Sequence, residues 1–242
     1  GGLREVLQYG PRVQVDYVEL DPALIRLARQ YLVGSDRGAL DDPRVHVWAM
    51  DGRLWVKQRS AALQSRNGDG SLPPTPSLKG GGNGNGYDAV ILGVPEPMTA
   101  QINRFYTVEF LREVAAVMAP GGVLGLQTPS SDTYLGDELL RLNAVLLRTV
   151  REVFPQVALL PGDPLVLAAS RTAALTEDAE VLRARLDALQ IDAPDFRAHA
   201  WDRLFPFEVR QVRETLDGAP PLPLNTDARP IGYFYGQAYW VA

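Results

Sequence analysis

"YDAVILGVPEPMTAQINRFYT", residues 87–107, reads as a buried β-strand that runs abruptly into a proline-braced loop. The continuous apolar run through Leu92 is the pattern of a strand covered on both faces. Pro95 and Pro97 then restrict the backbone that follows it. In an open α/β sheet, ligands bind in the loops after the strands. Gly93, at the end of this strand, has no side chain, so chemistry here would fall to its neighbours.

Outward from this stretch, three more apolar runs stand out: "VQVDYVEL" (13–20), "RVHVWAM" (44–50) and "GVLGLQT" (122–128). Between them lie segments of helical periodicity, "DPALIRLARQYL" (21–32) and "YTVEFLREVAAVMA" (106–119). Strands alternating with helices predict a parallel sheet with helices on both faces. "APGG" (119–122) stops a helix and leads into the next strand. Leu139, Leu142, Leu146, Val150 and Val153 recur at spacings of three and four, which predicts an amphipathic helix. "QVALL" (156–160) and "PLVLAAS" (164–170) then read as two closing strands.

Residues 64–86, "QSRNGDGSLPPTPSLKGGGNGNG", hold seven glycines and three prolines without apolar periodicity. They read as a flexible, disordered surface insertion. After residue 171 the pattern becomes polar and helical (176–190 and 196–216), followed by a proline-rich, aromatic tail at 220–240. The expected organisation is a domain over 1–171 and a helical extension with its tail over 172–242.

Bulk properties narrow the function. The 242 residues are 46% hydrophobic with net charge −5. With no Lys/Arg run, that balance argues against a nucleic-acid partner. The absence of cysteine excludes disulfides, thiolate catalysis and zinc–sulfur sites. Only His46 and His199 are available as imidazole ligands, so no metal is expected. No apolar run reaches the length of a membrane span and nothing resembles a signal peptide. The chain begins with Gly rather than Met, and reads as a piece of something longer.

Glu19 ends the first apolar run, 17 residues after Gly2 and close to the ~20-residue spacing at which a carboxylate meets ribose hydroxyls. The alternative is a helix start in which Asp21 caps, Pro22 takes the first helical position and Glu19 is incidental. Asp51, after the second run, either caps the following helix or accepts a hydrogen bond from an adenine amino group. "GGLREVL" (1–7) looks like the back half of a glycine-rich turn leading into a helix.

Taken together, "GGLREVL", "VDYVELDP", "DDPRVHVWAMDG", "YDAVIL", "FYTVEFLREVAAVMAPGGVLGLQ" and the acidic "PEP" make the chain resemble the spermidine synthase (polyamine aminopropyltransferase) family over roughly residues 1–170. The resemblance implies a methyltransferase-like, doubly wound, mostly parallel α/β sheet. It implies decarboxylated S-adenosylmethionine as co-substrate, with S-adenosylmethionine itself in a methyltransferase alternative. The nucleoside would be held by Gly1, Gly2, Glu19, Asp51 and Gly52: Glu19 on the ribose, Asp51 on the adenine amino group and Gly1–Gly2 beside the thioether end. The amine would be held by Glu96 and Gln127. The family places two acids after the fourth strand. Here Glu96 falls on the second, and Gly93 falls on the first, the family's general base; Glu96, with its longer side chain, is then the candidate catalytic residue that reaches back to serve as base.

That departure matters, because a primary ammonium with pKa near 10.4 costs roughly 4.6 kcal/mol to deprotonate at pH 7. A non-catalytic nucleoside- or polyamine-binding domain is therefore a rival expectation. The tail "LNTDARPIGYFY" is similar to that of the membrane-embedded bacterial branch. It implies adjoining transmembrane helices, a position at the cytoplasmic membrane face and a possible homodimer. The resemblance also implies a further central strand and a β-domain ahead of Gly1, and hence, without that strand, a gap in the middle of the sheet between "VDYVEL" and "DAVIL".

Overall fold

The computed structural model describes residues 2–66, 86–131, 136–191 and 204–241. In it the apolar runs become strands: β1 (Val15–Glu19), β2 (Val45–Ala49), β3 (Tyr87–Leu92) and β4 (Met118–Thr128), with β5 (Gln156–Leu160) and β6 (Leu165–Ser170) closing the series. The chain divides into two units, residues 1–86 with 186–194, and residues 87–185 with 195–242. The boundary expected near 172 does not coincide with this division. Of the glycine-rich insertion, residues 64–66 end a helix and residues 67–85 lie outside the described residues. Among the described residues, no helix is long and apolar enough to cross a membrane.

In the first unit, α1 (Gly2–Leu7) precedes β1, and α2 (Pro22–Tyr31) and α3 (Gly34–Leu40) connect β1 to β2. Asp21 caps α2 by accepting from Ala23 N at 2.7 Å, and Pro22 takes the first turn, where its missing N–H costs nothing. β1 and β2 pair in parallel from Val15 opposite Val45 to Glu19 opposite Ala49. α4 (Gly52–Arg66) follows, and its buried Trp55 stacks on Trp48 of β2 with ring centroids 4.5 Å apart. Trp48 also donates to Asp16 across the strand pair at 2.9 Å.

Arg44 fixes the entry to β2. Its Nη1 donates to the carbonyls of Leu7 (3.0 Å) and Gly10 (2.9 Å), while Nε and Nη2 grip the Asp42 carboxylate at 2.9 and 2.8 Å. These side-chain bonds, with the Arg44 backbone amide, hold the Asp42 pKa down at about 2. A depressed carboxylate contributes stability above its unfolded pKa of about 3.9, and that contribution is lost as pH falls through about 2. We expect an NMR titration to place the Asp42 carboxyl near 2, and Arg44→Ala to raise it toward the free value. A wild-type midpoint near 4 would show that the clamp is not formed.

The second unit is built on a four-stranded sheet of order β3–β4–β6–β5. β3 and β4 are parallel, and β6 enters antiparallel between β4 and β5. No pairing joins β1 to β3 among the described residues: β1 pairs with β2 and β3 with β4. The apolar run of β3 is not covered on both faces: Ile91 is 68% exposed.

The core of this unit lies under α6 (Val108–Val117) and α7 (Asp137–Arg151), which bury Phe110, Leu111, Val114, Leu142, Leu146 and Val150. The periodic set Leu139, Leu142, Leu146 and Val150 is buried as its spacing predicts. Val153 falls beyond the helix and is half-buried, with Phe154 taking the core position. The helix stop at "APGG" merges into β4: Gly121 adopts φ +77°, and a Cβ on Gly122 would sit 2.7 Å from Tyr87 O. α8 (Ala179–Leu189) and α9 (Pro206–Asp217) form within the polar periodic segments, of which residues 196–203 lie outside the described residues.

The aromatic tail differs from its reading. Residues Ile231–Val241 form a helix, α10, that packs on α7 and on the short α5 (Ala100–Asn103). Its anchor is Asn225, fully buried. The Asn225 side chain donates to Asn103 Oδ1 (3.0 Å) and Tyr106 O (2.9 Å) and accepts from Gly232 N (3.0 Å). Its backbone N–H donates to Thr149 Oγ1 (3.0 Å) and its carbonyl accepts from Val108 N (3.0 Å).

Candidate functional site

In the first unit the parallel register sets two carboxylates at one edge. Glu19 is the last residue of β1, opposite Ala49 of β2, and Met50 N donates to Glu19 O at 3.0 Å. Asp51 is the next residue. Both acids therefore leave the carboxyl ends of neighbouring strands, the edge at which open α/β sheets bind ligands.

Their local bonds differ. Glu19 Oε1 accepts from Asp21 N at 2.9 Å, while the capping of α2 itself is done by Asp21. This orients the half-buried Glu19 side chain and leaves Oε2 for a second donor. Tyr17, two residues back on the same face of β1, has its hydroxyl pKa raised by burial first and by the Glu19 charge second. Asp51 Oδ1 accepts from Leu54 N at 2.9 Å, so it does cap α4, and Gly52 is the first residue of that helix. Gly2 is the first residue of α1, its backbone outside the left-handed region and its α-carbon facing open space. Gly1 lies outside the described residues.

In the second unit, β3 ends at Leu92 and the chain turns through Gly93, Val94, Pro95, Glu96 and Pro97. Gly93 and Glu96 are exposed and Pro97 is buried. Beneath the loop lies Tyr106, only 3% exposed. Its hydroxyl donates to Pro95 O at 3.0 Å and lies 3.3 Å from Gln127 O and 3.4 Å from Val94 O. One side chain thus ties the Glu96 loop to the carboxyl end of β4, where Gln127 presents an exposed side chain. Burial, and next the charge of Glu96, push the Tyr106 pKa well above its ordinary value. The phenol therefore stays a proton donor to those carbonyls at physiological pH.

Sequence reasoning missed Tyr106. Its only signal was its place in "FYT", one residue before the Thr107 cap of α6. Among the described residues, no group of three His, Asp or Glu side chains is arranged to hold a metal.

The comparisons agree with this architecture. The family model described as "Spermine/spermidine synthase domain" matches residues 1–164. The chain is 38% identical over 127 residues to a polyamine aminopropyltransferase of Mycobacterium tuberculosis, covering 52% of this chain and 20% of that protein. It is 28% identical over 249 residues to polyamine aminopropyltransferase 2 of Hyperthermus butylicus, covering 95% and 68%. The chain thus spans about a fifth of the length of relatives such as the mycobacterial protein.

Among solved structures, a spermidine synthase in complex with the transition-state analogue AdoDATO matches at TM-score 0.54 and 20% identity, covering 90% of this chain and 65% of that one. The spermidine synthase of Thermotoga maritima matches at TM-score 0.54 and 19% identity, covering 90% and 67%. At that identity the likeness bears on the fold, which is methyltransferase-like α/β.

Proposed function

We propose, from the premise that this chain belongs to the spermine/spermidine synthase family, that it is the transfer domain of a polyamine aminopropyltransferase. The observation that carries the reading is the register of β1 on β2, which delivers Glu19 and Asp51 to one carboxyl edge. Glu19 would accept the ribose hydroxyls of decarboxylated S-adenosylmethionine, each charged hydrogen bond contributing roughly 1.5–3 kcal/mol. Asp51 would accept from the adenine amino group, and Gly2 and Gly52 would let the nucleoside approach backbone closely. No metal takes part in this scheme.

Glu96, with Gln127, would hold the ammonium groups of a diamine. The free amine attacks the methylene carbon next to the sulfonium. A C–N bond forms, the C–S bond breaks, and its electron pair neutralises the sulfur as methylthioadenosine leaves. The proton lost from the nitrogen goes to a base. Gly93 supplies none, which favours as second reading a domain that binds both ligands without turnover. From the resemblance of the tail we infer, further, an intact protein at the cytoplasmic membrane face beside transmembrane helices.

Calorimetry on the intact protein with decarboxylated S-adenosylmethionine and with a panel of α,ω-diamines tests these assignments. We expect Glu19→Gln to weaken nucleoside binding about tenfold or more, and Glu96→Gln to weaken diamine binding while sparing the nucleoside. Unchanged nucleoside affinity in Glu19→Gln would sink the ribose assignment. Release of methylthioadenosine selects the synthase, and binding without release selects the sensor. Affinity for S-adenosylmethionine alone selects a methyltransferase.

A further inference from the structure

The loop that carries Glu96 is held from two sides by residues outside it. On one side the Tyr106 hydroxyl donates to Pro95 O at 3.0 Å, within 3.3 Å of Gln127 O. On the other side lies α10. Gly236 approaches so closely that a Cβ there would sit 3.0 Å from Pro97 O and 3.1 Å from Met98 Sδ. Gln237 Nε2 donates to Met98 O at 2.5 Å, and Met98 N closes back onto Glu96 O at 2.7 Å. The two supports share one anchor, since Asn225 bonds both Tyr106 O and Gly232 N.

We propose that Tyr106 and the Gly236–Gln237 turn of α10 are positioning residues for Glu96, so that the C-terminal segment 225–237 sets the affinity for the amine. The inference rests on the reading of Glu96 as the amine ligand. Pro95 and Pro97 fix their own φ angles but leave the loop's placement against β4 open. Glu96 is itself exposed, so little but its backbone determines where the carboxylate points. A shift of about 1 Å in such a group is enough to cost binding geometry. Gly236 matters because an added Cβ would press on the Pro97 carbonyl and shift the loop, and Tyr106 because its single proton joins the loop to β4.

The test is calorimetric binding of 1,4-diaminobutane and of 1,3-diaminopropane to the intact protein, beside methylthioadenosine, with melting temperature recorded for each variant. We expect Tyr106→Phe and Gly236→Ala each to weaken diamine binding about tenfold, or about 1.4 kcal/mol, and to leave methylthioadenosine affinity unchanged. Gln237→Ala removes one exposed bond, so it should fold normally and weaken diamine binding about threefold at an unaltered melting temperature. A purely structural role would lower the melting temperature and move both ligands together. If Glu96→Gln abolishes diamine binding while all three supporting variants bind as wild type, positioning is overturned and the Glu96 assignment stands. If Glu96→Gln itself has no effect, the amine assignment falls and this inference with it.

Discussion

On the proposed reading as an aminopropyltransferase, Gly93→Asp is expected to raise the rate of transfer in the intact protein by about 10²–10⁴-fold, the usual contribution of a positioned general base. The site can accept the change. Nothing lies within 4 Å of a Cβ built at Gly93, and its φ is outside the left-handed region. The residue is exposed, just beyond the end of β3 and three positions before Glu96, so a new carboxylate there keeps most of its hydration and its charge. The demand it meets is the roughly 4.6 kcal/mol needed to free a primary amine at pH 7. Stability should change by no more than about 0.5 kcal/mol, as for exposed substitutions without special contacts.

The pH–rate profile carries a second signature. In the wild type the rate should climb with pH toward the amine pKa, because the fraction of free amine limits attack. In the variant the climb should flatten above the pKa of the new carboxylate. No gain in rate and no change in profile would mean that another base serves or that the site is built for binding.

The strands and the acids at their carboxyl ends were legible in the sequence because both rest on local rules. Continuous apolar runs bounded by turn residues mark β1 to β4, and an acid at the end of such a run must emerge at the carboxyl edge. The Asp21–Pro22 pair predicted the start of α2, and the structure separates its capping role from that of Glu19. What was illegible depended on contacts distant in sequence. α10 has no polar face, so no 3.6-residue pattern marks it, and Gly232 and Gly236 lower its helix propensity. Those two glycines, four apart on one face, were the available signal of a close-packed helix. Asn225 lay within a tail read only as proline-rich and aromatic, and its partners lie as far as 122 residues away. The exposed Ile91 shows the converse case: an apolar run predicts a strand, but not how many neighbours will cover it.

Asn225→Leu is expected to destabilise the second unit by about 3–5 kcal/mol and to release α10. Asn225 is fully buried and its side chain has every partner met: Nδ2 donates to Asn103 Oδ1 and Tyr106 O, and Oδ1 accepts from Gly232 N. Leucine keeps the same branched skeleton but sets bulkier methyls where the amide oxygen and nitrogen were, so crowding adds to the loss of hydrogen bonding. Three buried groups are left without partners, each costing about 1–3 kcal/mol. Asn103 cannot turn outward to recover, being 1% exposed, and Gly232 cannot retreat along a contact in which its own Cβ would lie 2.8 Å from Asn103 Oδ1. Against a typical total of about 5–15 kcal/mol, such a loss brings the unit close to unfolding.

Asn225→Asp separates the two halves of the network. It keeps the acceptor for Gly232 N, and sets a carboxylate oxygen against the carbonyl of Tyr106 and the amide oxygen of Asn103. A buried charge among acceptors costs more than the missing donor alone, so at neutral pH aspartate should be at least as damaging as leucine. Lowering the pH to about 4–5 should restore part of the stability by protonating it, because the carboxyl then regains a donor. Denaturant melts and hydrogen exchange of the α10 amides in the intact protein give the measurement. If Asn225→Leu unfolds within about 1 kcal/mol of wild type and the α10 amides remain as protected, the helix is held by its apolar contacts and Asn225 is not its anchor.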